Sequence, residues 1–154
     1  MPIPDDAAAI HGITNGIAAA AGVSPAAAVG LWSNLARRAD TLVAHNIAFD
    51  EAMMLTAWCR QYVGSAEAAA DDWARMHGDR ERFCTMKAAT PIVNLPPTPR
   101  MVAAGMRRPK SPKLEECVKF FFGEDLAGAH DALVDVRACA RVYFKLREME
   151  SAAA

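Results

Sequence analysis

Thr41-Leu42-Val43-Ala44-His45-Asn46-Ile47-Ala48-Phe49-Asp50 is the stretch on which the fold turns. Its first four residues form a short apolar run, which reads as a buried strand. From about Glu51 to Val63 the spacing of Met54, Leu55, Trp58 and Tyr62 is helical, and Gly64 ends it. His45 to Asp50 therefore sit where a strand passes into a helix. In α/β proteins ligands gather at the carboxyl ends of strands, so polar residues at that junction are candidates for a site. The plain alternative is a helix start locally capped by Asn46.

Working outward, residues 24–38 read as a helix. Ser24 can cap it, Pro25 suits the first turn, and Arg37 and Arg38 suit the carboxyl end. Residues 65–80 are polar and alanine-rich, expected as a short helix and a loop, and Phe83–Met86 as a second strand. Residues 88–113 hold six of the nine prolines and read as a long irregular connection. Leu114–Phe122 is a short helix ended by Gly123. Asp131–Met149 is a longer one, with Leu133, Val136, Cys139, Ala140 and Tyr143 spaced for a buried face. The tail 151–154 is expected to fray. Two short strands among four or five helices give an α/β class, helix-rich with a reduced sheet, in a single domain over residues 1–150.

Composition narrows the function. The chain has 154 residues, 53% hydrophobic and 23% charged, which excludes a disordered chain. Lys plus Arg is 17 and Asp plus Glu is 18, so any nucleic-acid or membrane site must come from local charge. Residues 1–10 lack the basic start of a secretory signal, and no apolar run is long enough to span a membrane. Cys59, Cys84, Cys117 and Cys139 are separated by 25, 33 and 22 residues, which is no zinc pattern; they read as reduced, mostly buried thiols of a cytoplasmic protein. Trp32, Trp58 and Trp73 are expected to pack, Met53 and Met54 to fill core, and His77 to lie on the surface.

Local charge is found in one place. Between Arg82 and Lys113 there are seven basic residues and no acidic one. Arg100, Arg107, Arg108, Lys110 and Lys113 are candidates for phosphate contacts without sequence readout. The alternative is a solvated loop whose charge aids solubility.

A second constellation, His130-Asp131-Ala132-Leu133-Val134-Asp135, runs from a loop into the last helix. Asp131 is its natural cap. Asp135 lies one turn on from Asp131, among Leu133, Val134 and Val136, where a carboxylate is costly unless paired or bound to a metal.

Taken together, His45-Asn46-x-x-Phe49-Asp50 and His130-x4-Asp135 resemble the second and third motifs of the DnaQ-like 3′–5′ exonucleases of the histidine (DEDDh) subtype. Ile10-His11-Gly12-Ile13-Thr14 resembles the stretch this family places before its second motif. The resemblance covers about residues 3–147. It implies a ribonuclease H-like exonuclease fold that removes nucleoside monophosphates from a single-stranded nucleic-acid 3′ end. Four carboxylates in the family hold two Mg²⁺ or Mn²⁺ ions, and Asp50 and Asp135 match two of them. His130 matches the general base that takes a proton from the attacking water. His45, Asn46 and Phe49 match residues near the terminal nucleotide, with His11 and Gly12 lining the same pocket.

The family's first motif, Asp-x-Glu at the end of a central strand, has no counterpart before Ile10. The one Asp-x-Glu in this chain, Asp79-Arg80-Glu81, follows the Asp50 motif in a polar stretch and reads as a solvated loop. The fold is thus expected to be N-terminally incomplete, a C-terminal piece of a longer reading frame. Alternatively, a partner chain or a second copy completes its sheet, or the chain is a genuinely reduced relative of the family. The isolated chain is expected to be inactive or feeble. A reading from a different class is a non-catalytic nucleic-acid-binding or subunit-interaction module.

Overall fold

Ser24 opens the first long helix as its chemistry predicts: its Oγ accepts the Ala27 N–H at 3.2 Å, with Pro25 in the first turn. Ser65 does the same for the helix of residues 66–77, accepting from the Ala68 N–H at 3.2 Å. The computed structural model describes residues 2–153. Their elements, in order, are α1 (Asp5–His11), α2 (Asn15–Ala21), α3 (Pro25–Ala36), β1 (Thr41–Ala44), α4 (Ile47–Gln61), α5 (Ala66–His77), β2 (Glu81–Cys84), α6 (Thr85–Val93), α7 (Pro99–Ala103), α8 (Leu114–Phe122) and α9 (Ala132–Ala153). The protein is α/β and 64% helical, and β1 and β2 pair as a small parallel sheet. No single helix is long and apolar enough to cross a membrane; α2 and α3 together reach that length and apolarity, but a bend of 69° separates them.

The chain divides into two units. The first takes residues up to Leu42 together with Phe49–Glu81, and the second takes Val43–Ala48 with Arg82–Ala154. In the first, Asn15 clasps the chain before α1, accepting the Ile3 N–H at 2.7 Å and donating to its carbonyl at 3.1 Å. Its buried centre is aromatic. Trp32 and Trp73 stack with centroids 5.0 Å apart and planes 1° from parallel, and Trp58 meets Trp73 edge-on. His77 is 0% exposed among these rings, not on the surface as its polar neighbours suggest. The cause is register: Ala69, Trp73 and His77 recur every four residues and share one face of α5. The His77 Nε2 lies 3.3 Å from the Ser33 Oγ. The tryptophans thus pack as expected, while Met53 is an exposed residue of α4.

In the second unit α6, α8 and α9 pack on one another around Ala89, Val93, Cys117, Val118, Ala138, Val142 and Leu146. α8 begins and ends where its sequence indicates, with Gly123 at φ 72° as its cap. Four expectations are corrected here. β2 spans 81–84, because Thr85 already opens α6. The proline-rich stretch carries structure: α6 continues to Val93 with Pro91 in its final turn, α7 occupies 99–103, and Leu95 bridges Lys110. Pro91 lies inside α6 and withholds one helical N–H, and Asn94 caps at φ 47°. The buried face of α9 is Ala138, Cys139, Val142 and Leu146, whereas Leu133 and Val136 are exposed. α9 also runs on to Ala153, past the expected start of the frayed tail; Ala154 lies outside the described residues.

Candidate functional site

His45 follows directly on β1, and the carboxyl end of that strand carries its ring into the second unit. Its Nδ1 lies 3.0 Å from the Thr85 Oγ1, and its Nε2 3.0 Å from the Pro112 carbonyl oxygen. Thr85, the first residue of α6, is buried and also reaches the Ala44 carbonyl at 3.3 Å and the Cys139 Sγ at 3.6 Å. The next residue, Asn46, adopts φ 80°, which turns the chain sharply from strand to helix.

The other arm comes from the turn before α9. Asp131 caps that helix, its carboxylate accepting the Leu133 and Val134 N–H groups at 2.9 and 3.1 Å. His130 precedes it at φ 76°, and Asp135 follows one turn later. His45, Asn46, His130 and Asp135 line one open cavity of about 410 Å³ in the second unit, lined further by Met86 and by the segment Ser111–Glu115. Among the described residues, non-glycine positive φ occurs at Asn46, Asn94 and His130, and two of these three face this cavity. Such conformations cost on the order of 1 kcal/mol each and concentrate at functional sites.

The wall Ser111–Lys113 is pinned at both ends. Lys110 N–H donates to the Leu95 carbonyl at 3.0 Å. Glu116 accepts the Lys113 N–H at 2.7 Å with one oxygen and pairs with the Lys110 ammonium through the other. Burial works to raise the Glu116 pKa, but these bonds and the two lysine charges outweigh it and hold it below the usual carboxylate range. Cys117, a buried residue of α8, is pushed up to about 11 by burial, with Glu116 and Cys139 adding to the effect.

No family model matches the chain, and no curated protein or solved structure is significantly similar to it.

The remaining predicted site residues fall elsewhere. Phe49 and Asp50 are exposed residues of α4 and belong to the first unit. His11 and Gly12 end α1 in that same unit: the His11 Nδ1 accepts the Ile13 N–H at 3.0 Å, and Gly12 caps at φ 75°. Asp79 pairs with Arg80, and Glu81 accepts the Thr41 hydroxyl at 2.7 Å, so Asp79-Arg80-Glu81 serves the turn into β2.

Among the described residues no three His, Cys, Asp or Glu side chains gather to hold a metal ion. Of the two carboxylates on the cavity, Glu115 pairs with Lys113 at 3.2 Å. The donors brought together here therefore do not fit a two-ion cage, which needs several oxygen ligands per ion.

The basic stretch separates into two groups. Lys110 and Lys113 are tied to Glu116 and Glu115. Arg100, Arg107 and Arg108 are exposed, and none forms an ion pair among the described residues.

Sequence reasoning missed Thr85, Pro112 and Glu116. Glu116 had a legible signal, an acid three residues into a helix that can reach back to the N-cap N–H. Pro112 had none, because it contributes a backbone carbonyl. Thr85 reads as a strand residue, and only its position beside β1 reveals its partner.

Proposed function

We propose that the second unit binds a single-stranded nucleic-acid 3′ end, in the manner of a DnaQ-like exonuclease of the histidine subtype. The observation that supports this reading is the meeting of two distant sequence pairs, His45-Asn46 and His130/Asp135, around one cavity. The strained backbone at Asn46 and His130 adds to it. In this reading His45 and Asn46 flank the terminal nucleotide. Arg100, Arg107 and Arg108 meet phosphates farther along the strand. His130 accepts the proton of a water whose oxygen bonds to the terminal phosphorus. The P–O3′ bond breaks, the departing O3′ takes a proton from bulk water, a nucleoside monophosphate leaves, and the shortened strand keeps a 3′-hydroxyl. Asp135 is the carboxylate this unit offers to Mg²⁺ or Mn²⁺, and a two-ion centre needs more ligands than the described residues bring together. Those ligands would come from a partner chain, a second copy or a longer chain.

A second reading is favoured by one observation, the lack of any three-donor group among the described residues. It makes the unit a nucleic-acid-binding or subunit-interaction module without chemistry. A 5′-labelled single-stranded oligonucleotide incubated with Mn²⁺ separates the two. The exonuclease reading expects a ladder shortening from the 3′ end, lost in Asp135→Ala and in His130→Ala. Salt-sensitive binding without a ladder, indifferent to Asp135→Ala, replaces it with the second reading.

A further inference from the structure

We infer that His45 is a positioning residue that fastens the Ser111–Lys113 wall of the cavity to the end of β1. The argument begins with what each partner can do. A carbonyl oxygen only accepts, so the bond to Pro112 places a hydrogen on His45 Nε2. In the neutral ring Nδ1 is then an acceptor for the Thr85 hydroxyl 3.0 Å away, whose single hydrogen is shared between this nitrogen and the Ala44 carbonyl at 3.3 Å. Both ring nitrogens are thereby engaged by the protein itself, and a bound nucleotide meets only the edge or face of the ring. The far ends of the strut are firm: Thr85 and Pro112 are both fully buried.

Pro112 explains why a strut is needed. Proline has no N–H, so its carbonyl is the one backbone group by which this residue can be tied. Lys110 and Lys113, on either side, are held by Leu95 and Glu116. Between them, the His45 bond sets how far the wall stands from β1 and so sets the width of the cavity. The cavity's identity as a 3′-end site rests on the proposed function; the strut does not.

The test uses the full chain as wild type, His45→Ala, His45→Gln and Thr85→Val, with hydrogen exchange of residues 110–117 and calorimetric binding of dTMP as readouts. Loss of one buried hydrogen bond speeds local exchange about five- to tenfold. That acceleration is expected in His45→Ala, and to a lesser degree in Thr85→Val, where His45 itself is untouched. Glutamine can keep an N–H on the Pro112 carbonyl, so His45→Gln is expected to restore most of the protection. dTMP affinity should follow the same order. Wild-type protection of 110–117 in both His45→Ala and Thr85→Val overturns the inference. So does loss of dTMP binding in His45→Gln with protection retained, which makes His45 a direct ligand. If His45→Ala does not fold, Thr85→Val and His45→Gln still decide. Failure of the wild type to bind dTMP counts against the proposed function, while the exchange results continue to judge the strut.

Discussion

Asn46 and His130 carry their strain at the mouth of the same cavity, and strain of this kind is separable from function. Glycine tolerates φ near +76° without a Cβ clash, so His130→Gly is expected to raise stability by up to about 1 kcal/mol in urea unfolding while losing any nuclease activity. At Glu116 the sign is set by a lowered pKa. A carboxyl depressed on folding contributes stability that is complete above its unfolded value, near pH 4.3. That contribution fades as pH falls through the folded value below it. Acid should therefore loosen residues 110–116, seen as faster exchange there than in α9, and Glu116→Gln should remove this pH dependence and cost about 1 kcal/mol at neutral pH. Cys117 shows the opposite shift: with its thiol pushed up to about 11 it stays protonated and inert. Iodoacetamide at pH 8 should label Cys59 and Cys84, which are half-buried, well before Cys117. Equal labelling of Cys117 in native protein would contradict this.

Among the elements, α3, β1 and α8 were legible because each carries a strong local signal: a serine cap with proline, an apolar run, or a glycine stop. α9 was legible as a helix but not in its buried face. Alanine and cysteine fit either side of a helix, so Leu133 and Val136 drew the stripe onto the wrong edge, and tertiary packing chose Ala138, Val142 and Leu146 instead. Truncating one residue of each stripe distinguishes them. Val142→Ala, at 0% exposure, should cost about 2 kcal/mol, whereas Val136→Ala, at 64%, should change stability by less than about 0.5 kcal/mol. α6 was hidden by the prolines around it, since a proline count does not reveal that the helix accommodates Pro91 in its interior. His77 was misplaced because an alanine-rich helix gives little notice of which way it faces.

At the scale of the molecule, the candidate site was half legible. The polar residues at the end of β1 and the start of α9 stood out because strand ends and helix starts are where side chains can reach a ligand. The wall that completes the cavity did not stand out, being made of a proline carbonyl and a glutamate that caps its own helix. Phe49 and Asp50 continue the first pair in sequence, yet the division into units assigns them to the other body. Charge behaves similarly: of the five basic residues from Arg100 to Lys113, two lysines are paired with glutamates and three arginines stay open. Oligonucleotide binding should thus weaken with salt at a slope of about −2 on logarithmic axes, corresponding to three phosphates, and Arg107→Ala should reduce it by about 0.7. Lys113→Ala should leave the slope unchanged.

Trp32, Trp58 and Trp73 all belong to the first unit, and the second has no indole at all. Intrinsic indole emission is therefore a one-sided reporter. Its spectrum follows the stacked pair and its histidine neighbour. A nucleotide entering the cavity of the second unit would bring no chromophore of that kind into play. A flat emission titration would then be the expected trace of a filled site, and an indole introduced at Met86, on the cavity itself, would turn occupancy into a visible signal.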